Sequence, residues 1–154
     1  MDLNKEAIKY AKDVWKKKRN LVRQNKHYKD KKTGRYTTHV ASEPPAVVCA
    51  CSYKNKSEFG YSDEPRESFY LKAPELHDSL THVKPDNLPI GKVNTICNNV
   101  IGRCAEPHAA CRVLMHYSHK QPPISALNFS KAIRPRTKSI IPPCYNCKEV
   151  FHQL

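Results

Sequence analysis

The sequence predicts a single α/β domain, and three observations support this class. Residues 2–24 have the apolar period of an amphipathic helix. Residues 46–62 have the composition of a β-hairpin. Further along, two segments are each predicted to begin a helix at a cysteine, with a strand between them. A chain of 154 residues can bury one core. We therefore expect one domain over residues 1–154, with a basic N-terminal helix and loop (1–45) and a core (46–154).

The N-terminal part is strongly basic. The formal net charge is +13, and 13 of the 27 Lys and Arg residues lie within the first 35 positions, against four acids. The predicted helix 2–24 turns basic at Lys16–Arg19, and residues 25–45 lose any period and end in two prolines, which predicts a basic loop. Two interpretations stay open, contact with a polyanion and a solvated face.

The core is predicted to begin with a hairpin. Residues 46–53 form the first strand, Lys54–Ser57 the turn and Glu58–Ser62 the returning strand. Residues 63–93 contain four prolines and have no period, which predicts an insertion that packs over the site or stays mobile. A short helix is expected within it, near Glu75–Leu80.

The remaining elements alternate between helix and strand. A helix is predicted from about Cys104 to Ser118, followed by a strand over Ile124–Ile133. Two prolines, Pro142 and Pro143, stop the chain before a last helix, which is predicted to start at Cys144 and to run for about three turns.

Two cysteine motifs, 40 positions apart, carry the chemistry. They are Cys104-Ala-Glu and Pro142-Pro-Cys-Tyr-Asn-Cys147. Cys144 and Cys147 are three residues apart, so at a helix start both sulfurs project to one side. Cys104, at the start of the other helix, lies where the helix dipole favours a thiolate. Three protein ligands with an open fourth position are typical of catalytic zinc, and Glu106 would lie beside the ion to move protons.

Two other uses of these cysteines are weighed against this interpretation. The first is a structural zinc site or a redox pair. A structural zinc site has all four positions filled by protein, so it would need a fourth ligand. Candidates for that ligand are Cys97, Cys111, His108 and His152. A disulfide framework is the other, and it is disfavoured because the seven cysteines are odd in number and the N-terminus is polar. An intracellular, reducing compartment is therefore expected, with no signal peptide, membrane span or membrane partner.

At these residues the chain resembles the zinc-dependent cytidine deaminase superfamily. The wider segments 103–108 and 134–151 are most similar to the nucleic-acid deaminase domains of bacterial polymorphic toxins. The resemblance covers roughly residues 46–154, and it implies a three-layer α/β/α fold with a mixed sheet. It assigns Cys104, Cys144 and Cys147 as zinc ligands and Glu106 as the proton shuttle. It also implies that the backbone around Ala105 and Pro143 holds the pyrimidine ring. The base pocket is expected to draw on one or two of four candidates, Tyr61, Ser62, Asn98 and Asn99.

The chain departs from the family at its C-terminal end. Seven residues follow Cys147, whereas the family core usually continues into one or two more strands. A sheet of three or four strands is therefore predicted. Either the fold is abbreviated, or the N-terminal segment or a second copy of the chain covers the exposed edge. The oligomeric state stays open.

The resemblance implies hydrolytic deamination of cytosine to uracil, and the charge indicates the substrate. A net charge of +13 adds little to the affinity for a free nucleoside, which carries no phosphate, but it strengthens the binding of a polyanion. Single-stranded DNA is favoured, with RNA as the alternative, and a basic patch just before the last helix is predicted to hold the strand (Lys131, Arg134, Arg136 and Lys138). Two other functions remain: a free cytidine or deoxycytidine deaminase, and a non-catalytic nucleic-acid-binding module with structural zinc.

Overall fold

The computed structural model describes residues 2–25 and 46–154, with residues 18–25 described by their backbone alone. The predicted basic loop therefore lies outside the described residues, apart from Asn25, which ends the first helix. The elements in chain order are α1 (Leu3–Asn25), β1 (Val48–Tyr53), β2 (Lys56–Tyr61), α2 (Glu67–Tyr70), α3 (Pro74–Thr81), β3 (Val93–Asn94), β4 (Asn99–Val100), α4 (Ala105–Met115), a 3₁₀ turn (Ile124–Ala126), β5 (Asn128–Phe129), β6 (Ala132–Ile133), β7 (Ile140–Ile141) and α5 (Tyr145–Val150).

The main sheet is built around β1. Strand β2 pairs with one edge of β1, β5 and β6 both pair with its other edge, and β7 pairs with β6. The predicted α/β class is thus confirmed. The predicted mixed sheet is wrong, because every strand pair within the described residues is antiparallel. Short hairpin connections join β1 to β2 and β6 to β7, and such connections can join only antiparallel neighbours.

Helices pack on both faces of this sheet because side chains alternate along β1. Val48 and Ala50 pack in one cluster with Ala7 and Ala11 of α1. Cys49 points to the other face, where it packs with Ala105 at the start of α4. Cys49 and Cys51 are both fully buried, so each serves as a small residue of the core.

The strand predicted over Ile124–Ile133 is wrong. Residues 124–126 form a 3₁₀ turn after two prolines, and the strand that follows is divided into β5 and β6. The pairing with β1 shifts by one residue between the two pieces, from Cys51↔Phe129 to Val48↔Ile133, as in a β-bulge. Side chains satisfy the interrupted backbone, because the Ser130 hydroxyl accepts from the Ala50 N–H (2.8 Å) and Asn4 Oδ1 accepts from the Lys131 N–H (2.7 Å).

The sheet has five strands, where three or four were predicted. The division of the predicted strand supplies one of them. Strand β7 supplies another, because the turn between residues 134 and 139 folds back on β6. A separate two-stranded ribbon, β3–β4, was also missed. With two residues in each strand, neither β7 nor the ribbon has the length that an alternating pattern needs to be recognised.

Segment 63–93 forms part of the core. The predicted short helix near Glu75–Leu80 is confirmed as α3, and α2 precedes it. Its buried side chains join the cluster that packs α4 and α5, and they are Tyr70, Ala73, Leu76, Leu80 and Val83. The segment therefore supports the two cysteine helices.

Both cysteine helices are shorter than predicted. Helix α4 ends at Met115, and α5 spans six residues, less than the expected three turns. Among the helices of residues 2–25 and 46–154, none combines the length and the apolar character that crossing a bilayer requires.

Candidate metal centre and active site

Three cysteine sulfurs come together between two helix starts. Cys104 is the N-cap residue of α4, Cys144 is the N-cap residue of α5, and Cys147 lies in the first turn of α5. Their Sγ atoms lie within 4.8 Å of one another, and those of Cys104 and Cys144 are 3.4 Å apart. The expectation that these three residues converge is confirmed, and together they could hold a metal ion.

Hydrogen bonds among the three sulfurs shift their pKa values in opposite directions. The thiols of Cys104 and Cys147 lower the pKa of Cys144 to about 3. The hydrogen bond with Cys144 raises the pKa of Cys104, and hydrogen bonds to both other sulfurs, followed by burial, raise the pKa of Cys147. One thiolate is thus favoured. Three thiolates this close together require a cation, because like charges repel.

No further His, Cys, Asp or Glu completes this group within the described residues. The four candidates for a closing ligand have other surroundings. The Cys111 thiol donates to Phe69 O (3.4 Å), and the Cys97 thiol lies 4.0 Å from Asn94 O. His108 Nδ1 donates to Cys104 O (2.9 Å). His152 is exposed. All seven cysteines are free, so the chain contains no disulfide framework.

Glu106 lies beside the sulfurs in the first turn of α4. It is 6% exposed, and its Oε2 accepts a hydrogen bond from the Cys147 thiol at 3.6 Å. Burial raises the pKa of this carboxyl group, because desolvation disfavours the charged form. A carboxyl group that can bind and release a proton is therefore placed next to the candidate metal ligands.

A cavity of about 300 Å³ opens onto the cysteine cluster. We call it the cysteine cavity, because Cys104 and Cys144 form part of its wall together with Glu106. Three residues predicted to bind substrate also line it, namely Ser62, Asn99 and Ala105. The others are Ala46, Val47, Val100, Arg103, Ile141 and Pro142.

A second cavity, of about 400 Å³, reaches Glu106 from the region of β5–β7. It contains Pro143 and Lys131, both predicted site residues, and Asn4 from α1. Glu106, Ile141 and Pro142 border both cavities. Glu106 thus lies in the wall of both cavities. Pro143 and Lys131 line only the second one.

Two residues predicted for the base pocket do not line the cysteine cavity. Tyr61 packs with the cluster on the α1 side of the sheet, and the Arg112 guanidinium lies 4.6 Å from the centre of its ring. Asn98 occupies the turn of the β3–β4 ribbon with a φ of 54°, and its N–H donates to Asn94 O at 2.8 Å. Consecutive residues of an extended chain point to opposite sides, so Ser62, which follows Tyr61, lines the cavity instead. Asn99, which follows Asn98, lines it as well.

The predicted basic patch lies on and beside the β6–β7 hairpin, which we call the basic hairpin (residues 131–141). Lys131, Arg134, Arg136 and Lys138 are all exposed. The turn is closed by hydrogen bonds from Arg134 N to Ser139 O and from Lys138 N to Arg134 O. Because its last residue, Ile141, and the following Pro142 line the cysteine cavity, the basic hairpin leads directly to the site.

Three residues near the site were not predicted. Asn146 Oδ1 accepts from Asn94 Nδ2 (2.9 Å), and Asn146 Nδ2 donates to Asn99 O (3.3 Å), which holds the cavity residue Asn99 against α5. Arg103 lines the cysteine cavity and pairs with Glu64 at 3.5 Å. Adjacency could have indicated Arg103 and Asn146, since one precedes Cys104 and the other lies between Cys144 and Cys147. Nothing in the sequence marks Asn94.

Comparison of the chain with protein-family models, with curated proteins and with solved structures finds no match.

Proposed function

We propose that this protein is a zinc-dependent hydrolytic deaminase that converts cytosine to uracil, with single-stranded DNA as its substrate. One observation carries the proposal: Cys104, Cys144 and Glu106 share the wall of one cavity. A cavity of about 300 Å³ is at the lower end of the range typical for small-molecule sites, which suits a single base.

Zinc fits the donor set better than other common ions. Three thiolates select a soft or borderline cation, and Mg²⁺ and Ca²⁺ prefer oxygen ligands. Cys104, Cys144 and Cys147 would hold the ion. A zinc ion held there would lower the pKa of a bound water molecule to about 7, which would make hydroxide available at neutral pH.

Glu106 would move the protons of the reaction. The net change is addition of water at C4 of cytosine and departure of the amino group as ammonia. Glu106 would accept a proton from the attacking water, deliver it to the ring nitrogen N3, and assist proton transfer to the departing amino group. Its raised pKa suits both halves of this task, because the carboxyl group must give up the proton that it has taken.

The resemblance to the cytidine deaminase superfamily and its three-layer fold belong to this proposal. Two structural findings support them. Once the inserted α2, α3 and β3–β4 ribbon and the added β7 are set apart, the β1–β2 hairpin, α4, the divided strand β5–β6 and α5 follow one another in the predicted order. Helices α1 and α4 pack on opposite faces of the sheet. The mixed sheet is not part of the proposal, because the strand pairs of the described residues are antiparallel.

Activity assays decide between deamination and a structural zinc module. The zinc-loaded protein is incubated with cytidine, deoxycytidine, and DNA and RNA oligonucleotides that contain cytosine, and uracil is measured. Glu106→Gln should reduce the rate by at least about a hundredfold, the scale of general acid–base catalysis, and should leave the zinc content unchanged. Glu149→Gln on α5 serves as the control. Turnover by the Glu106 variant at the wild-type rate would refute the assigned role, and absence of uracil from every substrate would refute deamination.

The basic hairpin tests whether the substrate is a nucleic acid or a free nucleoside. A double variant, Arg134→Ala with Arg136→Ala, should weaken oligonucleotide binding and flatten its dependence on salt by about 0.7 per lost phosphate contact. It should leave kcat/KM for any residual cytidine turnover unchanged. The nucleoside alternative would be supported if the enzyme converted cytidine at least as well as the oligonucleotide and if the double variant bound the oligonucleotide as the wild type does.

A further inference from the structure

We propose that a separate cavity beside the metal centre binds a nucleotide that flanks the target cytosine in the same DNA strand. This inference rests on the proposed function. The cavity has a volume of about 430 Å³ and is lined by residues of α2, α4 and the segments on either side of α2. We call it the Phe69 cavity. None of the three clustered cysteines lines it, so it is distinct from the metal centre.

The two cavities are adjacent along the chain. Ser62 lines the cysteine cavity, and the next residue, Asp63, lines the Phe69 cavity. The Asp63 N–H donates to Arg103 O at 3.1 Å. Arg103, in the wall of the cysteine cavity, pairs with Glu64 of the Phe69 cavity at 3.5 Å. A ligand that continues past a base in the cysteine cavity would therefore meet the Phe69 cavity next.

The aromatic side chains of the Phe69 cavity suit a nucleobase. The rings of Phe69 and His108 are 5.6 Å apart between centroids and lie within 24° of parallel, and both line the cavity. Bases of any sequence stack on aromatic rings. His108 also holds the metal-site backbone, because its Nδ1 donates to Cys104 O. Because His108 is 5% exposed, a base bound here would stack on the half-buried Phe69, which in turn packs on His108.

The charged side chains suit a phosphate group. Arg66, Lys72 and Arg112 line the cavity, against the two acids Asp63 and Glu64. Glu64 is already paired with Arg103, which leaves the cations in excess. Arg112 is held in place because its Nη1 donates to Phe59 O at 2.7 Å. A guanidinium held in this way, with an exposed lysine and an exposed arginine beside it, suits the binding of a phosphate group.

The test uses oligonucleotides in which one nucleotide beside the target cytosine is abasic. At one of the two flanks, the missing base should lower kcat/KM about tenfold in the wild-type protein, as expected for one lost stacking contact. Phe69→Leu keeps the apolar volume that packs on the core but removes the aromatic face. It should cause the same loss with the intact oligonucleotide and no further loss with the abasic one. Phe69→Tyr should restore the wild-type value.

A pair of lysine variants tests the phosphate contact. Lys72→Ala should reduce the slope of log K against log salt by about 0.7. Lys56→Ala removes another exposed lysine, one that lines neither cavity, and it should leave the slope unchanged. If both abasic substitutions act equally on wild type and Phe69→Leu, or if Lys56 and Lys72 behave alike, the flanking subsite is refuted.

Binding of the same oligonucleotides, measured by fluorescence anisotropy, separates this inference from the proposed function. Binding that depends on Phe69 and Lys72 without any uracil formation would refute deamination and support the subsite. Uracil formation with no dependence on Phe69 or Lys72 would refute the subsite and leave the proposed reaction standing.

Discussion

At the scale of single residues, the site depends on placing four reactive groups close together, two of them buried and two half-buried. Cys104, Cys144 and Cys147 share hydrogen bonds, and Glu106 accepts one from Cys147. Once one of these groups is ionised, its negative charge disfavours ionisation of the others. A divalent cation removes this conflict, since it compensates several thiolates at once. The cluster therefore has a physical reason to bind metal, independent of any reaction.

Replacing one cysteine ligand tests that reasoning at the residue scale. Cys144→Ser should lower the zinc content after gel filtration from about one ion per chain to near zero, because a serine hydroxyl is a far poorer zinc ligand than a thiolate. Cys97→Ser removes a half-buried thiol outside the cluster and should retain the ion. Atomic absorption gives both numbers. Equal zinc content in the two variants would contradict the assignment.

Buried amides complete the residue scale. Asn94 and Asn146 are 2% and 3% exposed, and each forms hydrogen bonds through its side chain. Because an unpaired buried amide costs free energy, this pair fixes one arrangement of β3–β4 against α5. Asn99 gains its position in the cavity wall through that arrangement.

At the scale of elements, the close approach of α4 to β2 sets the position of Cys104, a candidate metal ligand. The approach is possible because residue 60 is glycine. A Cβ added there would lie 2.7 Å from the Cα of Ala109, and closer still to Ala109 N and Ala105 O. These are backbone atoms of α4, so the helix itself would have to move, and Cys104 and Glu106 would move with it.

Gly60→Ala should therefore destabilise the fold and the metal site together. Overpacking of this kind typically costs about 1–3 kcal/mol, and rigid backbone neighbours favour the upper end of that range. Urea unfolding measures the loss, and zinc titration should show weaker binding. Ser57→Ala, exposed on the same strand, should change stability by no more than about 0.5 kcal/mol. A stable Gly60→Ala protein with wild-type zinc affinity would show that α4 can shift freely.

At the scale of the whole molecule, the cysteine cluster connects parts of the chain that are 40 residues apart. It joins the start of α4 to the start of α5, and the core between them includes α2 and α3. Only 39% of the residues are hydrophobic, and repulsion among the positive charges that give a net charge of +13 destabilises the compact state. A metal ion at this junction should contribute to folding because it binds only where the three sulfurs have converged.

Removing the metal should therefore lower the melting temperature. A ligand present at a thousandfold excess over its Kd stabilises the folded state by about 4 kcal/mol. For a chain of this size that corresponds to a shift of roughly 8–16 °C. Calorimetry before and after chelation measures the shift, and added zinc should reverse it. In Cys144→Ser the same chelator should have little effect, whereas an equal shift in that variant would place the stabilising ion elsewhere.

The sequence by itself determined the three cysteines of the cluster, the amphipathic first helix and the hairpin of β1 and β2. These features are local, because i, i+3 spacing, helix period and strand alternation each depend on residues close in the chain. Tertiary structure alone decided that Ser62 rather than Tyr61 reaches the cavity, that a bulge at Ser130 divides a strand, and that Asn94 supports Asn99 through Asn146. Each of these depends on a partner that lies more than 30 residues away along the chain or on a one-residue shift in register. No short-range pattern encodes such a partner, because its position is fixed only when the sheet and both cysteine helices have packed together.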